Sequence, residues 1–302
     1  MSALRLAIKI DVDTERGTRT GVPALVALFR EYGIHATFLF SLGPDNTGRA
    51  LRRIFRPGFF KKVSRTNVVG TYGVRTLLNG VLWPGPHIGK RHADVMRAVR
   101  DAGHEVGIHC YDHIRWQDGL AKMSPDQVFA EFGKACSEFE RIFGTPAKTA
   151  GAAGWQANNL SLAAYEVAGL DYASDARGTH PFYPRANGTV FKTVQIPTTL
   201  PTLDELIGRP EYPESKLTEY YLSLLRPDRP NVLTAHAELE GMAKIAWFRA
   251  FLAALQKRGV EIVPTATIAA ELKQHPENVP VCDLTDGEVD GRSGTLAVQR
   301  CS

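Results

Sequence analysis

Cysteine is scarce and scattered. The four residues, Cys110, Cys136, Cys282 and Cys301, form no C-x-x-C pair, which argues against a metal cluster or a disulfide-stapled framework. Reduced thiols are the expectation. Long apolar runs are missing too. No stretch reaches the roughly 18–20 uninterrupted apolar residues that a membrane-spanning helix needs. The opening MSALRLAIKIDVD is broken by Arg5 and Lys9 and lacks a small-residue cleavage site, so it does not read as an export signal. The third shortage is local. Between Asn46 and Ala93 there is no Asp or Glu, yet ten Lys and Arg fall there. The whole chain carries a formal net charge of only +4, so the remainder is net acidic.

What is present suits a globular protein with one substantial core: 302 residues, 44% hydrophobic and 23% charged. LRLAIKIDVD (4–13) is a short apolar run ending in carboxylates, the pattern of a buried strand. VPALVALFREYG (22–33) has helical spacing, an early Pro and a stopping Gly33. HATFLF (35–40) is a second strand, and 93–109 repeats the helix-then-strand pattern. SPDQVFAEFGKACSEFERIFG (124–144) starts on a Ser cap with Pro at the first helical position. Strands are expected near 147–150, 171–174, 190–196, 231–236 and 260–263, and helices near 216–225, 243–257 and 265–272. Alternation of this kind predicts an α/β fold, a distorted (β/α) barrel of seven or eight mostly parallel strands over residues 1–273. A basic amphipathic insert (46–91) follows strand 2, and 274–302 reads as a loosely ordered tail.

Chemistry in such barrels sits at the C-terminal ends of strands. Asp11, Asp13, His109, Asp175 and His236 all fall at expected strand ends. His109 and His113 in HCYDH share a face if the segment turns into a helix, one way to offer two imidazoles to a cation. With Asp13 they would bind one divalent ion and leave positions open for water and substrate. Such an ion acidifies water and polarises a carbonyl. Asp11, two residues before Asp13, points to the same side of its strand and is placed to take a proton. His236, ending NVLTAH, is placed to give one to a leaving amine. Asp175 in SDARG is the candidate to orient His236. The small residues of AGAAGW (150–155) let backbone approach a substrate, so Gly151, Ala152, Gly154 and Trp155 form a candidate oxyanion and substrate loop; plain close packing explains them equally well.

In their chain order these pieces resemble the polysaccharide deacetylase family, metal-dependent amide hydrolases on a distorted (β/α) barrel. KIDVD looks like that family's first motif, implying Asp11 as base and Asp13 as metal ligand. HCYDH looks like its H-[ST]-x-x-H motif with Cys110 in the Ser/Thr place, and SDARG and LTAH fall where its later Asp and His motifs fall. The ion implied is zinc, manganese or cobalt. One motif departs: where the family has R-x-P-Y-G, with Arg holding the catalytic Asp, AGAAGW has no Arg. Arg177 is the candidate replacement.

The insert bears on the substrate. Leu51, Ile54 and Phe55, and later Val74, Leu77, Leu78 and Val81, recur at helical spacing among the cations. Two short amphipathic pieces with a cationic face read as an anchor for an anionic membrane surface, with Arg52, Arg53, Phe59, Phe60, Lys61 and Lys62 as candidate membrane or lipid-phosphate contacts. A basic lid packed on the barrel is the plain alternative. Nucleic acid is disfavoured by the aliphatic stripe. GWQAN (154–158) and HAELEG (236–241) extend the resemblance to members of the family acting on polyprenyl-phosphate-linked amino sugars. It implies removal of a formyl group at the cytoplasmic face of a bacterial inner membrane, in lipid A modification and polymyxin resistance. A deacetylase of another N-acyl amino sugar, or a non-catalytic binder with a relic metal site, are the alternatives.

Overall fold

The computed structural model describes residues 4–50, 76 and 78–301. In chain order the strands are β1 (Arg5–Val12), β2 (Thr37–Ser41), β3 (Glu105–Cys110), β4 (Thr149–Ala150), β5 (Tyr172–Ala173), β6 (Tyr183–Ala186), β7 (Thr189–Val190), β8 (Val194–Gln195), β9 (Asn231–His236), β10 (Glu261–Val263), β11 (Val281–Gly287) and β12 (Leu296–Arg300). The helices between them are α1 (Val22–Tyr32), α2 (Ile88–Asp101), α3 (His113–Gly119), α4 (Pro125–Phe143), α5 (Asn159–Ala168), α6 (Leu203–Leu206), α7 (Leu217–Leu224), α8 (Ile245–Lys257) and α9 (Thr265–Gln274).

Strand β1 organises the barrel. It is buried from Leu6 to Val12, on both faces, as a parallel strand covered by helices must be. Leu6 and Ala7 pair with both β9 and β10, while Lys9 to Asp11 pair with both β9 and β2. A strand has two edges, so β9 takes one, and β10 and β2 share the other end to end. The sheet continues β2-β3-β4-β5-β8, every pair parallel. Just past β8 the N–H groups of Thr199 and Leu200 donate to the Val232 carbonyl of β9, which brings the two ends of the sheet together. This is the expected distorted (β/α) barrel.

The outer helices follow their local signals. Helix α4 opens on a capping box in which Ser124 and Gln127 bond each other's backbone N–H groups, with Pro125 in the first turn. Its buried Val128, Phe132, Ala135, Phe139 and Ile142 repeat at three- and four-residue intervals and face the barrel.

Two expectations are overturned at the C-terminus. Residues 281–300 are a β-hairpin, not a loose tail. Strand β11 pairs antiparallel with β12 and parallel with β6, and β6 pairs with β7. These four strands form a second sheet. Cys282, Leu284, Leu296 and Ala297 are buried, which gives the hairpin an apolar side to dock. Cys282 and Cys301 are joined in a disulfide, against the expectation of four free thiols. They lie far from any pairing motif in sequence and meet only because the hairpin brings its two ends together. Cys110 and Cys136 are free. Of the insert, Arg52, Arg53, Phe59, Phe60, Lys61 and Lys62 lie outside the described residues.

Candidate active site

Lys9 and Asp11 share one face of β1, and Asp13 follows just beyond its end. Asp11 is 2% exposed and Lys9 fully buried. The Lys9 ammonium lies 3.4 Å from Asp11 and donates at 3.1 Å to the Ser174 carbonyl. Arg177, the expected partner of Asp11, is elsewhere. Its guanidinium donates to Glu205 and to the Leu200 carbonyl and lies 5.5 Å from the centre of the Trp155 ring. The cation beside Asp11 therefore comes from the same strand, two residues earlier. Sequence reading saw Lys9 as an interruption in an apolar run, although its i, i+2 spacing already placed it with Asp11.

His109 and His113 meet, though not on one face of a helix. His109 ends β3 and His113 begins α3. Between them Asp112 caps the helix, accepting the Arg115 N–H at 3.0 Å and the Asn46 amide at 2.6 Å. The turn leaves the two imidazole centres 5.2 Å apart. Cys110, in the Ser/Thr place of the motif, bonds the Ser41 hydroxyl at 3.3 Å, and burial pushes its thiol well above the ordinary range.

The Asp13 and histidine atoms fit a divalent ion. His109 Nδ1 lies 2.6 Å from the Gly151 carbonyl, which can only accept, so Nδ1 carries hydrogen and Nε2 points the other way. Nε2 stands 3.2 Å from Asp13 Oδ1, and His113 Nε2 is 3.4 Å from the same oxygen. Among the described residues neither Asp13 Oδ1 nor His109 Nε2, both buried, has a hydrogen-bond partner. Two buried acceptors held face to face call for a cation between them. The three donor atoms lie within 4.8 Å of one another. Burial works against charge on Asp13, yet His113 and His109 hold its carboxyl well below the usual range. Burial likewise opposes charge on His109, and the Asp11 and Asp13 carboxylates raise it. The rise at His109 reports the negative field of the two carboxylates, which attracts a cation.

Asp175 does not reach His236. Its oxygens accept from the Ala152 N–H at 2.6 Å, the Tyr165 hydroxyl at 3.3 Å and the Gln195 amide at 2.8 Å. Burial raises its carboxyl to about 6, against those hydrogen bonds. Its place is beneath the 150–155 loop, which it holds in shape. That also bears on the oxyanion loop expected from Gly151, Ala152, Gly154 and Trp155, and corrects it at three of the four positions. The N–H groups of Gly151, Ala152 and Trp155 donate to Ile108, Asp175 and Ala152 respectively, so none of the three is free for an oxyanion. Gly151 is small because a Cβ there would lie 2.5 Å from Leu39.

His236 ends β9 and packs edge-on to Trp155, ring centres 6.4 Å apart. Its backbone N–H donates to Glu240 at 2.8 Å, and burial raises Glu240 to about 7, with His236 opposing. Glu238 accepts the N–H groups of Asp13 and Thr14 at 3.1 and 2.9 Å and so fixes the end of β1. Sequence reading quoted both glutamates without assigning them roles. A cavity of about 120 Å³ collects Asp11, Asp13, His109, His113 and His236 with Gly154 and Trp155. Gln117, Asp204 and Arg292 complete its wall, and sequence reading singled out none of them. Arg292 belongs to the segment expected to be a loose tail.

The chain belongs to the polysaccharide deacetylase family, whose pattern matches residues 9–173. It is 38% identical over 296 residues to the probable 4-deoxy-4-formamido-L-arabinose-phosphoundecaprenol deformylase ArnD of Shewanella sediminis, covering 98% of this chain and 94% of that protein. The probable deformylase of the same name from Wigglesworthia glossinidia brevipalpis is 30% identical over 287 residues, 94% and 98% of the two chains. Among solved structures, one from Mycobacterium smegmatis described as a polysaccharide deacetylase superposes with a TM-score of 0.65 at 18% identity, covering 96% of each chain.

Proposed function

We propose that this protein is a metal-dependent deformylase that hydrolyses the formamide of an undecaprenyl-phosphate-linked 4-formamido-4-deoxy-L-arabinose. The carrying observation is likeness over almost the full length of two such deformylases, in a chain whose Asp11, Asp13, His109, His113 and His236 converge on one cleft. Asp13, His109 and His113 would hold the ion, which supplies Lewis acidity towards the formyl carbonyl and acidifies water. Asp11 takes a proton from the attacking water, and the Lys9 ammonium beside it balances the buried carboxylate. His236 gives a proton to the departing nitrogen as the C–N bond breaks. Formate and a free amino sugar are the products. Asp175 serves by holding the loop that carries Trp155.

Chelation is expected to stop amine release from the formamido-sugar lipid, and readdition of zinc, manganese or cobalt to restore it. The acetamido analogue should be cleaved more slowly. Faster cleavage of the acetamido compound would replace this reading with a deacetylase of another N-acyl amino sugar. No turnover of either with metal present would favour a binding protein.

The lipid substrate implies work at the cytoplasmic face of a bacterial inner membrane. Among the described residues no helix is long and apolar enough to cross a membrane. At the end of the insert Val81, Leu82 and Trp83 are 54, 63 and 58% exposed, a run of apolar side chains that suits contact with lipid. The protein is expected to sediment with anionic liposomes, in part salt-sensitively, because screening shortens from about 10 Å at 0.1 M to about 3 Å at 1 M. Changing Arg52, Arg53, Lys61 and Lys62 to Gln should remove mainly the salt-sensitive part, and Phe59 and Phe60 to Ser mainly the rest. Binding to single-stranded nucleic acid with indifference to liposomes would overturn the membrane reading.

A further inference from the structure

The turn between β11 and β12 places Arg292 in the cleft wall, and the fold holds it there firmly. Its guanidinium lies over the Trp155 indole, 4.2 Å from the ring centre. Nε donates to Glu205 at 2.9 Å, and Nη2 sits 3.5 Å from Asp204. The side chain is 11% exposed, and Nη1 makes no hydrogen bond within the described residues. The turn itself is fastened to the barrel. Arg209 donates to Asp290 at 2.8 Å, and Gln156 donates to the Thr295 carbonyl at 2.8 Å. Gly291, with φ at +83°, lies against the Glu205 backbone so closely that a Cβ would stand 2.4 Å from its carbonyl oxygen.

Charge balance says what such a group binds. Two cations, Arg177 and Arg292, share contacts with two carboxylates, Asp204 and Glu205. Among the described residues these contacts pair two cations with two carboxylates, which leaves no surplus positive charge there for a phosphate. What it offers at the cleft is a carboxylate acceptor beside guanidinium donors. A hydroxyl group both donates and accepts, so a single hydroxyl matches that pair. We propose that Arg292 and Asp204 bind the one sugar hydroxyl next to the amide-bearing carbon, making the C-terminal hairpin a specificity element of the active site. This rests on the amide-hydrolase reading. The Trp155 stack and the Glu205 bond fix the guanidinium before substrate arrives, so little side-chain freedom is lost on binding.

The test compares two water-soluble probes, methyl 4-formamido-4-deoxy-arabinoside and its 3-deoxy analogue, with the full-length metal-loaded protein. A hydrogen bond to a charged group is expected to make wild type prefer the hydroxylated probe in kcat/KM by roughly 10- to 100-fold. Arg292→Gln should lower kcat/KM on the hydroxylated probe and leave the 3-deoxy probe almost unchanged, so the preference collapses. Metal content should stay stoichiometric. Gly291→Ala, which strains the turn without touching Arg292, should erode the preference in the same way. Equal losses on both probes in Arg292→Gln, or a retained preference, would overturn the proposal. If wild type cleaves acetamido sugars instead, the deformylase reading fails. The same pair of probes in the acetamido series then still decides the role of Arg292.

Discussion

His113→Ala is expected to abolish stoichiometric metal binding and, with it, turnover. Among the described residues the proposed metal site offers three donors, and removing one leaves a single imidazole and a single carboxylate. Loss of a mere supporting hydrogen bond around a metal ligand costs about 10- to 100-fold in affinity, so loss of a direct donor should exceed that. His113 lies at the first position of α3, whose cap is supplied by Asp112, so the helix should survive the change. Elemental analysis after dialysis checks the assignment. Full occupancy in His113→Ala would remove this residue from the metal site.

Asp11→Asn should separate chemistry from metal binding. The shape is kept and the three metal donors are untouched, but the proton acceptor is gone. Turnover is expected to fall about 10²–10⁴-fold, the range for general acid–base groups. A second consequence follows from burial. Lys9 is fully buried, and its ammonium loses the counter-charge 3.4 Å away. Breaking a buried pair at one partner typically costs about 3–5 kcal/mol, so Asp11→Asn should also melt earlier. Lys9→Met combined with Asp11→Asn removes the unpaired charge and should recover part of the melting temperature without recovering turnover. Near wild-type turnover in Asp11→Asn, with metal bound, would exclude it as the base.

Much of this was readable along the chain because it is local. A buried parallel strand needs a continuous apolar run, and LRLAIKIDV is one. Two other signals were present but easily passed over. Asn187-Gly188 is a two-residue hairpin turn with φ of +49° and +78°, the conformation that this dipeptide favours, and it joins β6 to β7. Cys282 and Leu284 alternate with Asp283 and Thr285, which is the pattern of a half-buried strand. The segment is short and rich in Gly and Asp, so composition outweighed alternation.

Other features have no local signature. Asp175 was expected to reach across to His236, but which of several strand ends faces which depends on the curl of the whole sheet. The N–H groups of Gly151 and Ala152, expected to be free, turned out to be bonded because Ile108 and Asp175 lie beneath the loop, and that of Trp155 bonds Ala152 within it. Nothing near residue 292 announces a cleft residue. Arg292 arrives there because β11 pairs with β6, more than ninety positions earlier, and the turn then falls on α6.

The sequence alone thus determined the strand–helix alternation, the carboxylates and histidines at strand ends, and the family, since each rests on residue type at short spacing, where backbone geometry dictates direction. The tertiary structure decided which cation neutralises Asp11, which groups remain for an oxyanion, that Cys282 meets Cys301, and that the C-terminal hairpin closes the cleft. Those are contacts between residues distant in the chain. Their selection comes from packing the whole barrel, which no window of sequence contains.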